Sequence, residues 1–378
     1  MGFVEHRGKH RYRARFRGPD GREGSKTFRR RIDAERFLVS VESAKLKGEW
    51  IDPAAGKASL RDFAEEWMST VAHLRPSTRN RYGSLLRVHI VPALGKLPLA
   101  GIRPLDVQAF VSGVLDSGVS ATTAHHAYRL LSEILRAAQL DGRIGRSPAA
   151  GVSPPARRHQ EQRYLTAEGV WALAEASHPR YRALVLTGAY GALRWGELAG
   201  LRVTRLRLLE RRIDIVETLV EVGSSLAFGP PKTGRRTVSI PGPLVDELAR
   251  HLTQYRPGED GLVFTSPAGT PMRHANFYRR EWRPALERAG LDPGLRIHDL
   301  RHTSVALAIA AGAHPKEIQE LCGHASIGTT LNVYGHLLEG LQDRLAERLA
   351  DTFRASRAAR MRPEGGPAVV EIRRAEGE

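Results

Sequence analysis

Four short segments, far apart in the chain, carry side chains suited to phosphodiester chemistry without a metal ion. TGAYGALRWGELAGLR holds Arg194 and Glu197 three residues apart, and PKTGRRTVSIP holds Lys232 just before a Thr-Gly turn. IHDLRHTS holds His298 and Arg301, and GHASIGTTLNVYGH holds His324 ten residues before Tyr334. Arginine's planar, permanently charged fork binds nonbridging phosphate oxygens two at a time, which suits Arg194 and Arg301 to neutralising charge in a transition state. Tyrosine has a reference pKa near 10, so only about one part in a thousand is phenolate at neutral pH. Tyr334 therefore needs a base or a strong positive field to attack phosphorus. The arginines supply that field, His298 is the candidate base, and Lys232 is placed to protonate a departing 5′-oxygen. The product would be a covalent phosphotyrosine that conserves bond energy without ATP.

Taken singly, each segment also has an ordinary reading. Arg194 and Glu197 form a solvated i,i+3 ion pair, Lys232 is a surface hairpin lysine, and Tyr334 is an aromatic filling a gap. His298 and His302 stand at i,i+4, which is half of a metal site. The glutamate of H-E-x-x-H and an obvious third ligand are lacking, so zinc is not expected. His336, two residues past Tyr334, reads as structural.

The elements that must hold these groups follow from patterning. The chain has 378 residues, room for two or three cores, and 58 Lys+Arg against 41 Asp+Glu give a formal charge of +17. Such a charge points to a polyanion, nucleic acid before membrane. One cysteine, Cys322, excludes an intramolecular disulfide and suits a reducing cytoplasm. With neither a signal-peptide core nor a membrane-length apolar run, a soluble intracellular protein is expected.

At the N-terminal end, KHRYRARFR alternates basic with apolar or aromatic residues, GPDGREG turns the chain, and SKTFRRR resumes the extended pattern. A basic hairpin followed by a helix over DAERFLVSVESAKLKGEW fits a DNA groove, with Arg11, Arg13, Arg15, Arg17, Lys26, Arg29 and Arg30 as candidate contacts. IDPAAGKAS links this element, residues 1–50, to an all-α domain over residues 58–146, expected to have four or five helices starting at the Ser59 cap. There Arg75, Ser77, Thr78 and Arg81 are further candidate DNA contacts. Residues 147–163, Pro-rich and basic, read as a linker, and 164–350 as a mainly helical domain with a small antiparallel sheet within residues 206–240. A leucine stripe at 337, 341, 345 and 349 marks a C-terminal helix, and residues 351–378 are a tail.

In this order and spacing, the four segments resemble those of tyrosine recombinases of the phage and mobile-element integrase family, and the resemblance covers nearly the whole chain. It implies Arg194 as the first catalytic arginine, Lys232 as general acid, His298 and Arg301 as the H-x-x-R pair, His324 as a further phosphate contact and Tyr334 as the nucleophile. Glu197 matches an acidic position that supports the first arginine, while Cys322 departs from a usually aliphatic position and should affect packing only. The implied fold is mainly α with small antiparallel β-sheets: a three-stranded arm-binding sheet plus helix, a SAM-like helical core-binding domain and an α+β catalytic domain.

The implied function is integration, and excision, of a mobile element through a 3′-phosphotyrosine, with no cofactor or metal. The implied partners are double-stranded DNA at crossover and arm-type sites, three further protomers in a tetramer, and an excision factor or host DNA-bending protein, with the nucleoid as the place of action. Two other readings stay open from the residues. A type IB topoisomerase uses a similar set but has little need of an arm domain, and a non-enzymatic DNA-binding regulator would leave the four clusters without a common purpose.

Overall fold

The computed structural model describes residues 2–8, 10–18, 21, 23–46, 55–154, 162–258, 261–323, 326–328, 334 and 341–360. The chain divides into two units, Met1–Gln160 with Val222–Ser225, and Glu161–Glu221 with Leu226–Glu378.

The first unit begins with β1 (Phe3–His6), β2 (Tyr12–Arg17) and β3 (Glu23–Phe28), an antiparallel sheet in that order. β1 supplies the third strand that the family resemblance implies and that patterning alone, which gives a hairpin, does not show; at four residues, FVEH is too short for its alternation to stand out. Side chains alternate across a strand, so burying Ala14 and Phe16 sends Arg13, Arg15 and Arg17 to the other face. Helix α1 (Arg31–Leu46) covers the apolar face, with the Phe37 ring 5.6 Å from Phe16 and 5.3 Å from Phe28.

The helical bundle that follows is built from α2 (Leu60–Thr70), α3 (Pro76–Leu85), α4 (Val91–Leu94), α5 (Pro104–Asp116) and α6 (Ala121–Leu140). Ser59 caps α2 by accepting from the Asp62 amide at 3.2 Å, as its sequence position anticipates. A π-helical turn, Leu86–Ile90, joins α3 to α4 just before Pro92, whose missing N–H leaves the normal helical ladder broken. The core is a continuous cluster in which α6 contributes Ala124, Ala127, Leu130, Leu131, Ile134, Leu135 and Ala138 at helical spacing.

In the second unit α8 (Pro179–Gly191) is the central element and is buried nearly all round, which explains why its sequence shows no amphipathic stripe. It is packed by α7 (Ala167–Ala176), α10 (Gly242–Gln254) and α13 (Asp299–Ala310). Gly188 permits the α8–α13 contact, since a Cβ there would stand 2.8 Å from Leu300 Cδ1. Short α9 (Trp195–Ala199) follows α8, and a π turn at Tyr278–Trp282 joins α11 (His274–Phe277) to α12 (Arg283–Arg288).

The strands within 206–240 form two sheets rather than one. β4 (Leu206–Arg207), β5 (Arg212–Ile215) and β8 (Arg236–Ser239) pair antiparallel, while β6 (Thr218–Val222) and β7 (Ser225–Gly229) make a separate pair. The apolar run IDIVETLVEV suggests one strand, but the chain leaves the first sheet after Ile215, and β7 carries too little alternation to be read beforehand. Helix α14 (Pro315–Cys322) precedes the Tyr334 region, and a C-terminal helix, Leu341–Arg360, runs through the boundary expected at residue 350. Leu349 on that helix is exposed, and Leu337 lies outside the described residues. Among the described residues, no helix is long and apolar enough to cross a membrane.

Candidate active site

The site is assembled at the corner between α8 and α9. Helix α8 ends with Ala192 in the left-handed region (φ 55°, ψ 27°), a conformation that costs a non-glycine residue about 1 kcal/mol and turns the chain sharply. Two residues on, Arg194 adopts the extended N-cap conformation of α9 and Glu197 occupies the third helical position. The Glu197 carboxylate accepts from the Arg194 amide at 2.9 Å and from Arg194 Nη1 at 2.9 Å. The i,i+3 spacing is therefore a capping arrangement that fixes the guanidinium, not an exposed ion pair. Helix α9 lies tightly on β6, because a Cβ at Gly196 would stand 2.6 Å from the Leu219 carbonyl oxygen.

Glu197 also holds a second arginine. Arg236, at the start of β8, donates through Nη1 at 3.0 Å and Nη2 at 2.8 Å to the two carboxylate oxygens. The Glu197 side chain is 2% exposed and that of Arg236 is 9% exposed, so this is a buried bidentate pair. Burial pushes the Glu197 carboxyl up, but the Arg236 hydrogen bonds and charge, with those of Arg194, hold it down at about 2. Thr233 joins the network by accepting from Arg194 Nη1 at 3.1 Å.

Helix α13 delivers His298 at its N-cap and buried Arg301 in its first turn. Arg301 donates to the Ala192 carbonyl and to the Cys322 carbonyl, each at 2.5 Å, tying α13 to the end of α8 and to the end of α14. Burial pushes the Arg301 guanidinium down to about 10, with the positive charges of Arg194 and Arg236 acting in the same direction. His298 is held below its ordinary 6.5 by desolvation first, then by the charges of His302 and Arg301. His298 as a whole residue is exposed, so water offsets part of that desolvation, and the downward direction is what enters the chemistry.

Tyr334 is 2% exposed and packs with Ala192, Val305, Ile309, Ile318 and Cys322. Its hydroxyl lies 2.6 Å from His302 Nδ1. Tyr334 thus meets His302, whereas the sequence pointed to His298 as its base. The His302 ring is 5.1 Å from that of His298 and nearly perpendicular to it. Arg301 pulls the Tyr334 hydroxyl toward ionisation, but burial is the larger effect and raises its pKa. The expected activation by a positive field is therefore outweighed in this arrangement by loss of water around the phenol.

The remaining candidates divide clearly. Lys232 is exposed in the turn before β8, and its neighbour Thr233 is the residue bonded to Arg194. His324 lies outside the described residues, as does His336. Cys322 is fully buried beside Tyr334, which fits the packing role expected of its side chain. In the N-terminal sheet, Arg15 meets Glu5 at 3.2 Å and Arg17 meets Glu23 at 3.1 Å. Lys26 pairs in register with Ala14 on the helix side, its Nζ 5.1 Å from the Phe37 ring centroid, and so does not share the face of Arg13, Arg15 and Arg17. Arg11, Arg29 and Arg30 are exposed at the ends of the strands. Arg75 is the N-cap of α3, with Ser77, Thr78 and exposed Arg81 on its first two turns.

Sequence reasoning passed over Arg236 and His302. Arg236 shares strand parity with buried Val238 and Ile240, so it points inward from RRTVSIP, a signal available from alternation alone. His302 was visible only as the i,i+4 partner of His298, and its contact with Tyr334 spans 32 residues.

The phage integrase family model matches residues 163–340, and a model of the phage integrase N-terminal SAM-like domain matches residues 59–115. The prophage phiRv2 integrase of Mycobacterium tuberculosis is 32% identical over 355 residues, covering 90% of this chain and 92% of its own length. An integrase of Mycobacterium phage D29 is 28% identical, covering 80% of this chain and 83% of its own. Among solved structures, the Tn1549 transposon integrase in complex with transposon right-end DNA has a TM-score of 0.68 at 20% identity, covering 77% of this chain and 99% of that one. A lambda integrase tetramer bound to a Holliday junction has a TM-score of 0.54 at 19% identity, covering 85% and 95%.

Proposed function

Because the chain belongs to the phage integrase family of tyrosine recombinases, we propose that Tyr334 is its nucleophile and that Arg194 and Arg301 bind the scissile phosphate. The protein is a tyrosine-type site-specific recombinase, an integrase that cuts and rejoins DNA strands. One observation carries the residue assignment: Arg301 bonds the Ala192 and Cys322 carbonyls, Tyr334 packs in the same cluster as Ala192 and Cys322, and Arg194 follows Ala192 by two residues, so residues up to 140 apart share one region.

In the proposed reaction, the Tyr334 oxygen bonds to phosphorus as its hydroxyl proton passes to neutral His298, the bond from phosphorus to the 5′-oxygen breaks, and that oxygen leaves with a proton from Lys232. His298, neutral near pH 7, and His324 complete the set of groups around the phosphate. The charge gathered on the phosphate oxygens is met by the two guanidiniums, whose positions are fixed before DNA arrives. Rejoining reverses these steps with a new 5′-hydroxyl, so no cofactor or ATP enters.

Arg13, Arg15 and Arg17, on the face of the N-terminal sheet that α1 leaves open, together with Arg11, Arg29 and Arg30, are proposed to contact arm-type duplex DNA. Arg75, Ser77, Thr78 and Arg81 are proposed to contact the crossover site. Four protomers would carry out the two strand exchanges, with an excision factor or a host DNA-bending protein setting direction in the cytoplasm.

The test is a suicide substrate with a nicked crossover site. Tyr334→Phe should keep DNA binding and yield no covalent protein–DNA adduct. Adducts persisting in that variant would move the role to Tyr278 or Tyr255.

A further inference from the structure

A tyrosine that is 2% exposed cannot meet a DNA phosphate where it lies. The described position of Tyr334 is therefore a docked state, and something must hold it. The apolar cluster around the ring, Val305, Ile309, Ile318 and Cys322, would accept any ring of that size. Only the hydroxyl distinguishes tyrosine from phenylalanine there, and it lies 2.6 Å from His302 Nδ1.

From this geometry we infer that His302 is a positioning residue: its Nδ1 accepts the Tyr334 hydroxyl proton in a hydrogen bond and latches the nucleophile inside the protein until DNA engagement exchanges that bond for the phosphate. The inference rests on the reading of Tyr334 as nucleophile. His302 is well suited to the task because it is half-buried on α13, one residue after Arg301, whose two carbonyl contacts fix the helix. Any shift of α13 or of the α14 end on DNA binding would reach the latch directly. Its ring stands edge-on to His298, 5.1 Å away, so the two histidines constrain each other's rotamers.

The atom involved makes the test sharp. Asparagine places an amide near the position of Nδ1 and can accept through its carbonyl oxygen, whereas glutamine places its amide near Nε2. Tyrosine nitration of the full-length protein without DNA, followed by peptide mass mapping, reads how often Tyr334 leaves its pocket. Loss of a buried hydrogen bond corresponds to roughly a 5- to 10-fold change in an opening equilibrium. His302→Gln should therefore be nitrated at Tyr334 about 5- to 10-fold faster than the wild type, while His302→Asn stays within about twofold of it. Tyr181, 3% exposed in the same unit, serves as the internal reference and should not change.

Equal Tyr334 rates in all three proteins, or Asn behaving like Gln, would overturn the latch. If Tyr181 and Tyr334 rise together, the variant has loosened as a whole, and the contact is then read from the other side. The ¹⁵N shift of His302 Nδ1 should move between wild type and Tyr334→Phe, and an unmoved resonance would overturn the inference. Nitration involves no cleavage, so these outcomes are independent of whether Tyr334→Phe abolishes the adduct.

Discussion

Replacing Glu197 with glutamine keeps the shape of the side chain and removes the charge on which two guanidiniums converge. The carboxylate is nearly inaccessible to water and takes hydrogen bonds from Arg194 and, bidentately, from Arg236. Its pKa stands at about 2 against an ordinary 4.5. At about 1.36 kcal/mol per pH unit, that gap of about 2.5 units is worth about 3 kcal/mol of folding stability at neutral pH. The value agrees with the roughly 3–5 kcal/mol by which removing one partner of a buried pair destabilises a protein.

The sign follows from the depressed carboxylate: the stabilisation is complete above pH 4.5 and disappears as pH falls toward about 2. For one such site, about 1.4 kcal/mol has gone by pH 3.5. Urea unfolding of full-length wild type and Glu197→Gln, followed by tryptophan fluorescence, measures the difference directly, since Trp171, Trp195 and Trp282 all lie in the unit holding the site. The difference should be about 3 kcal/mol at pH 7 and narrow by about 1.4 kcal/mol at pH 3.5, with other titrations cancelling between the two proteins. A difference independent of pH would refute the claim that the carboxylate's charge, rather than its packing, organises the corner.

Arg301→Ala should reduce adduct formation on the suicide substrate by about 10²- to 10³-fold, because it removes the buried charge proposed to bind the phosphate and releases the Ala192 and Cys322 carbonyls; near-normal cleavage would sink the assignment. Gly196→Ala should destabilise the second unit by about 1–3 kcal/mol by calorimetry, since the new methyl meets Thr218 Oγ1 and the Leu219 carbonyl. With His298 held below 6.5, it remains neutral at pH 6.5, and no loss of cleavage should centre there; a rate that halves near pH 6.5 with His298 present and not in His298→Asn would contradict this. Replacing Arg13, Arg15 and Arg17 together by alanine should reduce the salt slope of arm-site binding by up to about 0.9 for every phosphate that these arginines neutralise, and an unchanged slope would show that this face does not meet DNA.

What could be read from sequence depended on how far apart the interacting residues lie. Arg194 with Glu197, and His298 with Arg301, are one helical turn apart, so local geometry already brings each pair together. The helical bundle was legible because α6 repeats its buried residues with a helical period, and the basic sheet because Ala14 and Phe16 alternate with arginines. The inward-pointing Arg236 was available from the parity of its strand, but the adjacent Arg235 and the Thr-Gly turn made the pair look like hairpin surface. The Tyr334–His302 contact was not available at all. It depends on where α13 lies relative to a segment beyond α14, and an i,i+4 histidine pair suggests a metal before it suggests a hydroxyl partner. The most consequential contact in the site is thus one that tertiary packing creates. Its consequence is that the tyrosine marked by the sequence as reactive is also, in this arrangement, the one kept from reacting.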